Sequence, residues 1–207
     1  MNHLLSKIGS YPFEKLNLLH RDIKPSKEVI NLSIGEPKLN ADSKVLDILN
    51  KETNSFSNYP PMNAVPELSE AYRQYLKNHF GIENVAEDEV CLVAGTREGT
   101  FSIIQALFNK ENVKEKPYVV MPNPFYQIYG GATTLAGGEA KFLDCPEEDN
   151  FQPDLDSLKS EDWQKCQILV LCSPNNPTGS VLPLSKLKDI LDLAEKLSLI
   201  HISEPTR

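Results

Sequence analysis

From about residue 90 the chain alternates short apolar runs with helical patterns, and this alternation constrains the fold more than any other feature. VCLVA (90–94), PYVVM (117–121), AKFLD (140–144) and QILVLC (167–172) are too short for core helices and read as buried strands. REGTFSIIQALF (97–108) follows the first run, with Phe101, Ile104, Leu107 and Phe108 on one face. FYQIYGGATTLAGG (125–138) follows the second. A polar link containing the amphipathic stretch PDLDSLKS (153–160) leads into the fourth. LSKLKDILDLAEKL (184–197) comes last, with Leu184, Leu187, Ile190, Leu191, Ala194 and Leu197 in phase. Short buried strands separated by helices indicate a mainly parallel sheet, with helices covering both faces. The expected class is therefore α/β, a three-layer α/β/α arrangement around a mainly parallel sheet.

Upstream, residues 1–41 are interrupted by prolines and read as an arm with little structure of its own. A helical pattern starts at Asp42 and runs through Val45, Leu46 and Leu49. After the turn SFSNYPPMNAVP (55–66) comes ELSEAYRQYLKNHF (67–80), with Leu68, Tyr72, Tyr75 and Leu76 on one face and Gly81 just past its end. Residues 42–207 are expected to belong to one domain, preceded by the arm.

Charge and composition narrow the function. The net charge of -8 argues against a nucleic-acid or anionic-membrane surface, which needs clustered lysine and arginine. No apolar run approaches the roughly 20 residues that span a bilayer, and the start lacks the pattern of a secretory signal. A cytoplasmic protein is expected. Cys91, Cys145, Cys166 and Cys172 form no CxxC pair and no metal-ligand spacing, and three of them lie in or beside apolar runs, where cysteine behaves as a small buried hydrophobe, so structural cysteines are expected.

In an open parallel sheet, ligands bind outside the carboxyl ends of the strands. Three such ends are legible. AGTREGT (94–100) joins a strand to a helix N-terminus, where free N–H groups and the helix dipole suit an anion, although an ordinary capped helix would look the same. MPNPFYQIY (121–129) stops a strand with two prolines and supplies aromatics that could stack on a flat ring or fill a core. CSPNNPTG (172–179) ends a strand in adjacent asparagines, which could make a turn or donate to a ring oxygen. Together they suit a small, planar, phosphorylated ligand, and neither a P-loop nor GxGxxG is present.

In order along the chain, LSIGEP (32–37), NYPPMNAVPELSEAY (58–72), AGTREG (94–99), PNPFYQIY (122–129) and SPNNPTG (173–179) resemble the class I/II, fold-type I aminotransferases that use pyridoxal 5′-phosphate (PLP). The resemblance covers the chain to about Leu197. It implies the aspartate aminotransferase-like large domain, with residues 1–41 as an arm and part of a small domain. It also implies that Asn176 bonds the phenolic oxygen of the PLP ring and that Tyr126 stacks on that ring. Thr96 and Arg97 would hold the phosphate, chiefly through backbone N–H groups. Tyr59 would reach the phosphate of a neighbouring subunit's cofactor, which implies a homodimer, and Gly35 would line the pocket for the substrate's α-carboxylate. Within the family, GTREG with PNPFYQIY is most similar to the succinyldiaminopimelate aminotransferases of lysine biosynthesis, which exchange an amino group between N-succinyl-LL-2,6-diaminopimelate and 2-oxoglutarate. Aspartate, alanine and LL-diaminopimelate aminotransferases are the alternatives inside the family.

The family pattern also implies residues that this sequence lacks. Its Schiff-base lysine lies well downstream of NPTG, and no lysine follows Lys196 here. Its acid for the pyridine nitrogen sits just after the helix ending at Leu197, where Glu204 is the nearest candidate and Pro205 follows. The final string LSLIHISEPTR resembles a translated sequencing-adapter tail. Native sequence is expected to stop near Leu197, the chain being a truncated, inactive fragment whose first strand lacks its neighbours. Outside the family, the competing readings are a non-catalytic binding module without the lysine and a different phosphate-ligand enzyme on a doubly wound sheet.

Overall fold

A computed structural model describes residues 2–36, 38–57, 59, 65–111 and 116–204, in two units. Pro37 of LSIGEP, Asn58 and residues 60–64 of the NYPPMNAVP turn, and residues 205–207 lie outside that description.

The helical unit comprises residues 11–92. Its first helix, α1 (Pro12–His20), lies within the segment read as an arm with little structure of its own, where a 3-10 turn at His3–Lys7, in the other unit, is the other helical element among the described residues. Pro12 sits at the first helical position, where its missing N–H is no loss and its fixed φ favours the helix. Helix α2 (Ser43–Lys51) starts where the sequence places it, because Asp42 accepts the Lys44 N–H at 2.8 Å. Helix α3 (Pro66–Phe80) ends at Gly81, whose φ of +65° a side chain would oppose and whose N–H caps the Lys77 carbonyl at 3.0 Å. The apolar faces read from the sequence remain exposed on both helices, at Val45, Leu46 and Leu49 of α2 and at Leu68, Tyr72 and Tyr75 of α3.

VCLVA is not a strand. Residues 90–94 are irregular, and Cys91, Val93 and Ala94 are exposed. A strand needs a neighbour to complete its backbone hydrogen bonds and cover its side chains. Among the described residues nothing pairs with this segment.

The sheet unit comprises residues 1–10 and 93–207. Its elements run α4 (Thr96–Leu107), β1 (Tyr118–Asn123), α5 (Ile128–Ala136), β2 (Glu139–Asp144), α6 (Ser160–Lys165), β3 (Cys166–Cys172), α7 (Leu184–Leu197) and β4 (Ile200–Glu204). The strands lie in the order β2-β1-β3-β4 and every pairing is parallel. Side chains alternate across β1 and β3, so each strand feeds two cores. On one face Val119, Met121, Ile168 and Val170 pack with Ile104 and Phe108 from the α4 end and with Tyr129 and Ala132 of α5. On the other, Val120, Leu143, Leu169 and Leu171 pack with Trp163 of α6 and Ile190 of α7. This is the expected three-layer α/β/α architecture. PDLDSLKS gives only a 3-10 turn at Leu155–Ser157 before α6. The string after Leu197 turns through Ser198 in the left-handed region and forms β4, from Ile168↔Ile200 to Cys172↔Glu204.

Burial sets the cysteine chemistry. Cys166, at the start of β3, donates to the Ile168 carbonyl at 3.4 Å, and burial pushes its thiol from an ordinary 9.0 up to about 12. Burial likewise raises the Cys145 thiol. The fold thus holds the Cys166 proton more tightly than the unfolded chain does. Stability from this source is present below pH 9 and is lost as pH rises from 9 through about 12. At pH 8 a thiol reagent should modify exposed Cys91 rapidly, while Cys145 and Cys166 react only on unfolding. Peptide mass spectrometry checks this, and labelling of Cys166 as fast as Cys91 would contradict the burial.

Candidate functional site

The strand order creates a switch point. The chain leaves β1 for β2 on one side, then returns to place β3 on the other side of β1. The loops after β1 and β3 therefore diverge, and a crevice opens between them at the carboxyl edge. Helix α4 reaches the same edge from the opposite direction. Just past its C-terminus Asn109 is held at the amino end of β3, its N–H donating to Gln167 Oε1 at 2.9 Å and its carbonyl accepting Gln167 Nε2 at 2.7 Å. Phe108 packs there on Gly138, immediately before β2. Twelve helical residues at about 1.5 Å each span about 18 Å, roughly the length of a six-residue strand. The N-terminus of α4 therefore lies at the carboxyl edge.

That N-terminus is open. Gly95 precedes it with φ +133° and has no side chain to cap it. The first turn's N–H groups, at Thr96, Arg97 and Glu98, have no intrahelical partner by geometry, the ladder starting with Gly99 N–H to Gly95 O at 3.0 Å. Thr96 and Arg97 are exposed. The Glu98 carboxylate folds back over Gly95, where a Cβ would stand 2.8 Å from Oε2. A carboxylate at that position answers the same positive helix end that attracts a phosphate.

After β1, the Tyr126 ring is half-buried and stands perpendicular to the buried Tyr129 ring, at 89° and 5.7 Å between centroids. Phe125 is pinned between Phe142, at 5.1 Å, and the space left by Gly130. The aromatic cluster thus divides into core rings and one ring fixed at the edge.

After β3, the two asparagines divide in the same way. Asn175 is buried and closes the loop: its N–H donates to Ser180 O at 2.8 Å and its carbonyl accepts Gly179 N–H at 2.7 Å. Its Nδ2 donates to Thr178 Oγ1 at 3.0 Å and makes a long contact of 3.5 Å with the Pro124 carbonyl. Asn176 is half-buried, and among the described residues its side chain has no hydrogen-bond partner. Gln152 fastens the loop from the β2 side through Ser180 Oγ at 2.6 Å and Val181 O at 3.0 Å. Sequence reasoning missed Asn175, Ser180 and Gln152; turn chemistry in CSPNNPTG was the only signal, and none marked Gln152. A small crevice lined by Phe151, Asn175 and Leu182 lies beside this loop but does not include Thr96, Tyr126 or Asn176.

The sheet unit therefore brings Thr96, Arg97, Tyr126 and Asn176 to one edge. Gly35 and the almost fully exposed Tyr59 belong to the helical unit. An open helix end, a packed ring and an amide without a hydrogen-bond partner among the described residues could together receive a phosphorylated aromatic ligand with a ring oxygen.

Comparison with known proteins leads the same way. The sequence pattern of the family described as aminotransferase class I and II matches residues 27–204. The aspartate aminotransferase of Pyrococcus abyssi is 32% identical over 179 residues, which are 86% of this chain and 45% of that protein. The LL-diaminopimelate aminotransferase of Natranaerobius thermophilus is 28% identical, over 86% of this chain and 46% of that one. The crystal structure of an aminotransferase from Neisseria meningitidis superimposes with a TM-score of 0.89 and 40% identity, covering 98% of this chain and 52% of its own. The chain spans about half the length of the relatives it matches. A matched pattern over most of the sequence decides the assignment: the chain belongs to the class I and II aminotransferases.

Proposed function

We propose that this chain supplies the cofactor-holding edge of an enzyme that exchanges an amino group between an amino acid and a 2-oxo acid. The family is PLP-dependent. When bound, PLP supplies an electron sink that makes the proton on the amino acid's α-carbon removable. The residues present fit that group. Thr96 and Arg97 hold the phosphate through the N–H groups that open α4. Tyr126 covers one ring face, and the Asn176 amide donates to the phenolic oxygen. Gly35 leaves room for the substrate α-carboxylate, and Tyr59 reaches the cofactor phosphate of a second copy in a homodimer. None of this chain's residues is assigned the role of moving the proton. Among the described residues no helix is long and apolar enough to cross a membrane, and we place the reaction in the cytoplasm.

For the substrate we infer N-succinyl-LL-2,6-diaminopimelate with 2-oxoglutarate, in lysine biosynthesis, on the strength of GTREG and PNPFYQIY. Free LL-diaminopimelate is the second reading, favoured by the relatives that carry that name. Relative kcat/KM for the succinylated and free forms, in the protein that carries the activity, distinguishes them.

The observation that carries the proposal is the shared edge: an open helix end, a packed Tyr126 ring, and Asn176 without a side-chain partner among the described residues. Pyridoxine 5′-phosphate tests it on this chain, because it has the ring, phenol and phosphate but no aldehyde to react with surface lysines. Asn176→Ala and Tyr126→Ala should each weaken binding about tenfold, the scale of one hydrogen bond or one ring contact. Variants that bind like the parent chain would overturn the placement.

A further inference from the structure

We propose that Asn175 is a positioning residue that ties the loop after β3 to the loop after β1, and so sets Asn176 and Tyr126 at the spacing one ring requires. The proposal rests on the reading of Asn176 and Tyr126 as cofactor contacts. It arises from the switch point: the two loops leave adjacent strands in diverging directions, so backbone pairing within the sheet cannot fix their separation. Two neighbouring amides then take different work. Asn175 is 6% exposed and faces inward, and Asn176 lies half-open with no partner among the described residues. Asn175 engages its own loop at three points, through Ser180 O, Gly179 N–H and Thr178 Oγ1. Its Nδ2 also faces the Pro124 carbonyl, two residues before Tyr126. Thr178 completes the clasp, its Oγ1 also accepting the Ser180 N–H at 3.3 Å. Gln152 and Ser180 extend it to the segment after β2, since Ser180 Oγ donates to Asn150 O at 2.8 Å.

The consequence is a coupling that a simple turn residue would not show. If Asn175 sets where the Asn176 amide points, losing it should weaken stabilisation of the ligand's ionised phenol even though Asn176 remains. The test titrates the whole chain with pyridoxine 5′-phosphate and follows the absorbance change as the bound phenol ionises with pH. Asn176→Ala should raise the ionisation midpoint, because the amide donor to the phenolate is gone. Asn175→Ala should raise it by a comparable amount and weaken binding about tenfold. The double variant should shift it little further. Thr178→Val removes the two bonds that Thr178 Oγ1 accepts, from Asn175 Nδ2 and from the Ser180 N–H, and keeps the shape; it serves where Asn175→Ala does not fold, and should shift the midpoint in the same direction by less, since the Asn175 backbone bonds remain.

Hydrogen exchange supplies the second readout. Asn175→Ala should speed exchange at residues 173–182 and also at 124–129, with β1 and β3 unchanged; Asn176→Ala should do neither. Faster exchange confined to 173–182, or an unmoved phenol midpoint at weakened affinity, overturns the proposal and leaves Asn175 as a local turn residue. If the parent chain does not bind the probe, the cofactor reading fails, and exchange at 124–129 alone decides whether Asn175 joins the two loops.

Discussion

Replacing Leu169 with alanine is expected to destabilise the sheet unit by about 2–5 kcal/mol. Leu169 is fully buried on β3, which runs between β1 and β4, and it packs among Val120, Leu143 and Trp163. Buried neighbours on β1, β2, α6 and α7 restrict how far the site can collapse around the lost atoms. Domains are stable by only about 5–15 kcal/mol, so the variant should forfeit a large share of its margin. Trp163, the chain's one tryptophan, reports the transition: its ring is buried and its indole N–H donates to Leu155 O at 3.2 Å. Urea unfolding followed by its fluorescence should show a clear fall in midpoint. Leu191, half-exposed on α7, is the control, and its alanine variant should change stability by only about 0.5 kcal/mol. Equal losses at both positions would contradict the core assignment.

Gly95→Ala should remove most of the phosphate's contribution to ligand binding. At φ +133° and ψ 146° the backbone lies where only glycine is comfortable, and forcing an alanine there costs roughly 1–3 kcal/mol. The nearest atom to its Cβ is the carboxylate end of Glu98, an exposed side chain that can swing aside. Backbone strain therefore decides the outcome. Relief comes by rotating residue 95, which re-aims the N–H groups of Thr96 and Arg97 away from the anion. Hydrogen bonds to a charged group contribute about 1.5–3 kcal/mol. Affinity for pyridoxine 5′-phosphate should thus fall about ten- to a hundredfold, while the weaker binding of pyridoxine, which lacks the phosphate, should be unchanged. Equal weakening of both ligands would show that Gly95 shapes the ring site and not an anion site.

These expectations show which parts of the molecule were legible in residue order. β1, β2 and β3 were readable because each is a short run whose alternate side chains face two cores, and β-rich composition bounded by prolines or glycine leaves little else. α4 and α7 were readable because their apolar positions recur with the helical period. VCLVA misled because strand composition states a preference, while strand formation requires a neighbour. α1 was hidden by the prolines around it, one of which starts the helix. The site was legible at the level of loops. Which asparagine of CSPNNPTG lacks a partner among the described residues was not legible from residue type, and only the family resemblance pointed to Asn176; the two differ in what Ser180, Thr178 and Gly179 do to Asn175. Gln152 was invisible because its partners lie 28 and 29 residues away.

The central claim is that one sheet edge binds a phosphorylated pyridine through three separate segments of this chain. Backbone amide resonances recorded while pyridoxine 5′-phosphate is added to the isotopically labelled chain test it most directly. The account predicts saturable shifts concentrated at residues 95–99, 125–126 and 173–179, moving together with a single affinity. Shifts confined to one of those segments, or clustered on surface lysines instead, would contradict it.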